Sequence, residues 1–236
     1  MDLPFFYIDT VANPDNIIVL DEATSKHVVQ VLRMQPEEQL QLTDGKGNIF
    51  TAVIKDANRK KCTVAVLNTN HQPSNINKIS IAISLIKNSS RFEWFLEKAT
   101  ELGVTEIIPL LCNRTEKQHF RFDRMKSILV SAMLQSQQCW LPVLQEPTRF
   151  GDLVMRRFDD CKKYIAHCED EKNKEPLHHQ ITKSSNQLIM IGPEGDFTAE
   201  EIQSAIQHYF ISVALGNTRL RTETAGVVAA ALLTQL

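Results

Sequence analysis

The sequence lacks what would carry a chain into or across a membrane. Its longest apolar stretch, Val227 to Leu233, is far shorter than the roughly 20 residues that a bilayer-spanning helix needs. The opening residues, Met1-Asp2-Leu3-Pro4, carry an acid and no basic flank, which does not read as a secretory signal. A disulfide or zinc framework has no support either. The five cysteines, Cys62, Cys112, Cys139, Cys161 and Cys168, are scattered, odd in number and without a Cys-x-x-Cys pair. They read as reduced thiols of a cytoplasmic protein. His119, His178 and His179 do not make a convincing metal site, and none is assigned. Two nucleotide signatures are missing as well. No Gly-x-Gly-x-x-Gly follows Ile86, and no Gly-x-x-x-x-Gly-Lys-Ser/Thr occurs anywhere. Nor is there an excess of positive charge. With 26 Lys and Arg against 28 Asp and Glu the net charge is −2, which argues against non-specific coating of nucleic acid but leaves room for a local basic face.

What is present is an ordinary globular composition, 43% hydrophobic and 23% charged over 236 residues, enough for one large domain or two modest ones. Two rhythms divide the chain. Residues 1–70 read as a small β-barrel domain. Asn16–Leu20, Gln39–Thr43, Asn48–Lys55 and Cys62–Leu67 are strand-length runs of Val, Ile, Leu and Thr, and Asp44-Gly45 and Gly47-Asn48 mark a tight connection. One helix interrupts them, with Val28, Val31 and Leu32 on one face and Thr24 or Ser25 as its cap. The polar stretch 71–78 reads as a linker. From 79 to 236, strands alternate with helices. Strands are expected at Ile79–Ile86, Glu106–Cys112, Lys163–Cys168, Gln187–Ile191 and Ile211–Leu215. Helices are expected from Ser90 to near Gly103, at Arg121–Gln138, at Thr198–Tyr209 and at Glu223–Leu233, with capping boxes at Ser90/Glu93 and Thr198/Glu201. The charged, irregular segment Glu169–Ser185 reads as an exposed loop. This alternation predicts an α/β domain with a mostly parallel sheet covered on both faces.

Ligands of open α/β sheets bind beyond the carboxyl ends of the strands, and two loops there stand out. Ile191-Gly192-Pro193-Glu194-Gly195-Asp196-Phe197-Thr198 leaves a strand and enters a capped helix. Taken alone it is an ordinary turn. Leu215 to Ala225 does the same one strand later, and Arg219, Arg221 and Glu223 crowd a connector where folding seldom requires such charges. The helix that follows is rich in small residues, Ala225, Gly226, Ala229, Ala230 and Ala231. It is therefore suited to close packing on a neighbouring backbone, in this chain or in another copy. Two such loops in succession favour a ligand site.

These loops, together with Lys87, Arg91, Lys98–Val104 and His27–Arg33, resemble the RsmE family, 16S ribosomal RNA uridine-N3 methyltransferases of the SPOUT superfamily. The match spans nearly the whole chain in order, and Arg219–Ala231 with the Gly192–Gly195 loop is its specific part. The resemblance implies a C-terminal SPOUT-type trefoil-knotted methyltransferase domain with a parallel sheet. It also implies an N-terminal PUA-like RNA-binding β-barrel, and a cofactor, S-adenosyl-L-methionine, held in a pocket completed across a homodimer. The expected cofactor contacts are Ile191, Gly192, Pro193, Glu194, Gly195, Leu215, Gly216, Leu220 and Ala225. The expected partner is 16S rRNA within the small ribosomal subunit, its target base turned outward. Three departures stand out. Asp196 occupies a place where many relatives have a third Gly, Arg219 follows Thr218 where a basic residue often comes one place earlier, and Leu134-Gln135-Ser136 lacks the Glu and Arg that commonly flank Gln-Ser.

Uridine N3 must lose an imide proton, and a cation near the ring carbonyl oxygens would stabilise the resulting charge. Arg221 is the first candidate for that cation and Glu223 for the proton acceptor. The plainer alternatives are an ion pair of Arg221 with Glu223 or Glu194, and for Glu223 a carboxylate favoured by a helix N-terminus. Lys26, His27, Arg33, Lys87, Arg91, Arg114 and Arg219 are the candidates for RNA contact, each with solvated surface as its alternative. Such an interface predicts an affinity that falls steeply with salt. Three other functions stay open: a SPOUT methyltransferase for another RNA base, a non-catalytic RNA-binding ribosome-assembly protein, and an unrelated small-molecule enzyme of α/β type.

Overall fold

The computed structural model describes residues 3–9, 16–74, 77–116, 118–169, 174–182 and 185–235. Residues 75 and 76 of the expected linker, and 170–173 and 183–184 of the expected 169–185 loop, lie outside the described residues. The chain divides into two compact units, the first made of residues 1–74 with 133–141 and the second of 75–132 with 142–236.

In the first unit, strands β1 (Phe5–Tyr7), β2 (Ile17–Val19), β3 (Gln39–Thr43), β4 (Asn48–Asp56) and β5 (Thr63–His71) form a five-stranded sheet in the order β1-β3-β4-β5-β2. Leu40 and Leu42 of β3 are fully buried while Gln39 is exposed, the alternation of a half-buried strand. Register shifts between β4 and β5 at Thr51/Ala52 and Ile54/Asp56 bend the sheet, so that it curls about a core of Val28, Leu40, Leu42, Ile54 and Val64. Strand β1, parallel to β3, was not expected. Three residues are too few to show a period. Helix α1 (Glu22–Lys26) is capped by Asp21, whose carboxylate accepts from the Thr24 N–H at 2.9 Å, and not by Thr24 or Ser25. Ser25 is buried instead, donating to the Leu20 carbonyl and accepting from the Cys62 N–H at 2.9 Å. The helix continues as a π turn, His27–Val31. That wider turn breaks the angular spacing of an α-helix, which is why Val28 is buried but Val31 and Leu32 are exposed, contrary to the single face expected.

The second unit contains β6 (Ile79–Ser84), α2 (Ser89–Glu101), β7 (Glu106–Leu111), α3 (Phe122–Gln135, its last turn in the first unit), β8 (Val143–Leu144), β9 (Thr148–Arg149), α4 (Phe150–Val154), β10 (Cys161–Ala166), β11 (Glu175–Pro176), α5 (Leu177–Gln180), β12 (Asn186–Ile191), α6 (Ala199–Gln207), β13 (Ile211–Ala214) and α7 (Thr222–Gln235). The strands pair in parallel in the order β11-β13-β10-β12-β6-β7-β8, with β9 also on β7. Ala82, Ile108, Leu188 and Met190 face α4 and α6 in one core, and α2 and α7 pack together over β6 and β12 on the other side. The sheet is thus covered on both faces, as expected. The Thr198/Glu201 capping box of α6 is present. At α2 the cap is Asn88, accepting from the Ser90 N–H, and Glu93 pairs instead with Arg124 at 2.9 Å. The helix ends at Gly103 with Val104 N–H donating to Ala99 and Gly103 N–H to Thr100, the Schellman pattern. Among the described residues no helix is long and apolar enough to cross a membrane.

One connection decides where a ligand can sit. Strand β13 lies outside β10, yet α7, the next element, packs on β6 and β12. Residues 215–221 must therefore return across the carboxyl ends of β10 and β12, doubling back over chain already laid. That crossing belongs to the SPOUT-type α/β class the resemblance implied.

The seat of α7 is tight. A Cβ on Gly226 would stand 2.7 Å from the Phe95 ring and 2.8 Å from Ile83 Cδ1. Gly226→Ala should lower stability by about 1–2 kcal/mol, because overpacking exceeds the ~1 kcal/mol gained in helix propensity. Urea unfolding checks this.

At the other end of the sheet, buried Glu106 accepts from Ser80 Oγ at 2.6 Å, from Gln145 Nε2 at 2.8 Å and pairs with Lys78 at 2.9 Å. Burial pushes its carboxyl up, but these partners outweigh burial and hold it below the usual 4.5. Its stabilisation is therefore complete above 4.5 and is lost as the pH falls through the lowered folded value. Glu106→Gln should cost about 1–3 kcal/mol at neutral pH, and the gap to the parent should close in acid. A variant equally destabilised at both ends of the titration would count against this account.

Candidate functional site

Three loops leave the carboxyl ends of the neighbouring strands β12, β10 and β13 and line one cavity of about 800 Å³. This volume suits a small ligand, for which pockets of roughly 300–1,000 Å³ are usual.

The loop after β12 is built from its backbone. Gly192 and Pro193 are buried, and a Cβ on Gly192 would lie 3.1 Å from the Phe197 ring and 3.2 Å from the Phe197 nitrogen. Phe197 in turn packs against Phe150 at 5.6 Å between ring centroids. Arg114 braces the same loop, its Nη1 donating to the carbonyls of Gly195 at 2.7 Å and Phe197 at 3.3 Å. The Glu194 carboxylate accepts from the Lys87 N–H at 3.0 Å. Asp196 holds φ +63°, a left-handed conformation that Asp tolerates better than most side chains.

In the loop after β13, Leu215 to Arg221 line the cavity and run into Thr222 and Glu223, both buried in the first turn of α7. Glu223 pairs with Arg91 Nε at 3.7 Å. Neither ion pair proposed above for Arg221 is present. Arg221 is exposed, and among the described residues neither it nor Arg219 makes an ion pair. The wall thus carries two guanidinium groups outside any ion pair among the described residues, while its buried carboxylate is engaged from the side.

The loop after β10 was not foreseen as part of the site. His167, Cys168 and Lys174 line the cavity, and Lys174 Nζ donates to the His167 carbonyl at 2.6 Å and the Glu169 carbonyl at 2.9 Å. Partial burial and the Asp196 carboxylate push the Cys168 thiol up, so it remains protonated at neutral pH. The missing signal was strand order. Nothing in the local sequence says that β10 lies between β12 and β13.

Of the residues expected at the cofactor, Ile191, Gly192, Pro193, Glu194, Leu215, Gly216, Leu220 and Ala225 line the cavity, and Gly195 is held beside it by Arg114. Arg91 and Arg219, expected at RNA, also line it. Lys87 lies in an adjoining recess with Arg91 and Glu194 and pairs with Glu116 at 2.8 Å. Arg114 serves as the brace just described. In the first unit Lys26 pairs with Glu22 at 2.7 Å, His27 meets Phe6 edge-on at 5.7 Å, and Arg33 is exposed at φ +57°. Among the described residues no group of His, Cys, Asp and Glu is placed to hold a metal ion.

Residues 72–234 match the family described as RNA methyltransferase domain, and residues 20–67 match RNA methyltransferase PUA domain. The matches, with the fold, place the chain among RNA methyltransferases. The Ribosomal RNA small subunit methyltransferase E of Synechocystis sp. is 32% identical over 237 residues, covering 96% of this chain and 77% of that protein. Among solved structures, a probable rRNA-methyltransferase from Porphyromonas gingivalis superposes with a TM-score of 0.91 at 36% identity, covering 97% of this chain and 95% of that one. The ribosomal RNA small subunit methyltransferase E of Neisseria gonorrhoeae, solved bound to S-adenosyl methionine, gives 0.86 at 28% identity over 97% of this chain and 95% of that one. The chain belongs to the ribosomal RNA small subunit methyltransferase E family, RsmE.

The geometry separates the two glycines of the β12 loop. The contact at Gly192 is tighter than an ordinary Cβ contact, whereas a Cβ on Gly195 would meet Arg114 at 3.4 Å, ordinary van der Waals distance. Gly192→Ala should therefore lose about 1–3 kcal/mol and speed amide exchange across 192–198, while Gly195→Ala stays near the parent. Equal behaviour of the two variants in exchange mass spectrometry would refute this reading.

Proposed function

We propose that this chain methylates N3 of a uridine in 16S rRNA of the small ribosomal subunit, in the cytoplasm, with S-adenosyl-L-methionine as methyl donor. The observation that carries the proposal is the three-loop cavity with an unpaired Arg221 and a buried Glu223 in its lining. Family membership supports it, as does the donor bound in the Neisseria relative.

The residues present fit such a donor. The cavity has the volume of a small-molecule site, its walls include the buried backbone of Ile191, Gly192 and Pro193, and Leu215, Leu220 and Ala225 add apolar surface. When bound, the donor supplies an electrophilic methyl group on a sulfonium and leaves as a neutral thioether. The chain has to align the reactants and exclude water. In this reading backbone groups of Gly192–Glu194 and Leu215–Gly216 hold the donor. Arg221 faces the ring oxygens on which negative charge develops as N3 loses its proton. Glu223 is the buried carboxylate of the lining. Arg91, 3.7 Å away, orients it from the side, and it takes the N3 proton.

The first unit, with Lys26, His27 and Arg33, binds RNA as a PUA-like domain. Lys87, Arg91 and Arg219 meet the strand entering the cavity, and the half-buried apolar residues Val227, Val228 and Leu232 of α7 suit a homodimer that completes the pocket.

The test is methylation in vitro of purified small subunits and of naked 16S rRNA, followed by nucleoside analysis. N3-methyluridine at one site is expected. Arg221→Ala should lower turnover about 100-fold with donor affinity, by calorimetry, within about threefold of the parent. A methyl group on another atom, or undiminished turnover by the variant, would overturn the assignment.

A further inference from the structure

We propose that Asp196 is a positioning residue for the methyl-donor site. It ties the loop after β10 to the loop after β12, so that a segment outside the family's glycine motifs becomes a fixed wall of the pocket. The proposal rests on reading the cavity as the donor site.

Asp196 sits in a turn closed by its own N–H donating to the Pro193 carbonyl at 2.9 Å, with φ +63°. A residue chosen for that backbone alone would be glycine. The side chain has a use instead. Its Oδ1 accepts from the Phe197 N–H at 2.8 Å, and its Oδ2 reaches across to accept from the Cys168 N–H at 2.7 Å. The second bond joins two loops that are 28 residues apart in sequence. Both line the cavity, and Asp196 lines it too. A carboxylate accepting two backbone N–H groups makes charge-assisted bonds, stronger than neutral ones.

Beside Cys168, Lys174 Nζ donates to the His167 and Glu169 carbonyls. Asp196 thus sets where Cys168 stands, and Lys174 holds the carbonyls on either side of it. The β12 loop is itself braced by Arg114, so the carboxylate pulls on a fixed anchor. Preorganising a pocket wall in this way removes an ordering cost from binding.

Three full-length variants separate tether from backbone. Asp196→Gly relieves the left-handed conformation and removes the carboxylate. Asp196→Asn tolerates the conformation and keeps one acceptor oxygen. Asp196→Ala loses both advantages. Calorimetry with S-adenosylmethionine should show affinity weakened about tenfold by Gly and by Ala and only about threefold by Asn. The melting temperature of the Gly variant should fall by less than that of the Ala variant, because glycine relieves the left-handed conformation. Without any donor, amide exchange of residues 167–169 should rise in the Gly variant and recover partly in Asn. Parent-like affinity and exchange in Asp196→Gly would overturn the proposal. If the parent itself binds no S-adenosylmethionine, the donor-site reading fails, and the exchange comparison still decides whether the tether exists.

Discussion

The close seat of α7 against α2 and β6 is the constraint on which the site depends. Gly226 lets the helix lie directly on Phe95 and Ile83, and Ala229, Ala230 and Leu233 complete its buried stripe. Because β13 is separated from β6 by β10 and β12, the chain reaches that seat only by crossing the carboxyl ends of the strands between. The connector is short and held at both ends by buried elements. It cannot relax away from the loops it crosses, and the cavity is the space left among them.

Charge is distributed in the same economical way. Each carboxylate at the cavity is engaged by its own chain: Glu194 by the Lys87 N–H, Asp196 by two backbone N–H groups, and Glu223 by Arg91. Arg219 and Arg221 have no such partner among the described residues. A chain with a net charge of −2 therefore carries, among its described residues, two arginines outside any ion pair in the lining of this cavity. What governs recognition here is the local balance rather than the total.

Much of this was legible from residues alone. The strands of the second unit stand out because they are buried on both faces and read as continuous apolar runs, Ile79–Ser84 most clearly. The glycine loops stand out because few residue types fit close backbone contact. Other features were hidden for identifiable reasons. The cap at Asp21 was missed because Thr24 and Ser25 are equally good cappers by type, and only the burial of Ser25 against Cys62 reveals its other task. The exposure of Val31 and Leu32 follows from a π turn that leaves no mark on the hydrophobic pattern. His167, Cys168 and Lys174 were out of reach because spatial strand order, unlike strand existence, is set by contacts distant in sequence.

The first unit is not one continuous stretch of chain. Residues 133–141 belong to it, and there the Trp140 ring lies on Gly47, where an added Cβ would come within 2.4 Å of it, while Leu141 covers Gly45 in the same manner. Trp140 also donates from Nε1 to the Gln72 carbonyl. The polypeptide between the two units is therefore crossed more than once, and cutting at residues 71–78 would strip the sheet of the aromatic cover over its β3–β4 turn. A fragment ending before residue 133 would therefore lack part of the first unit's own packing.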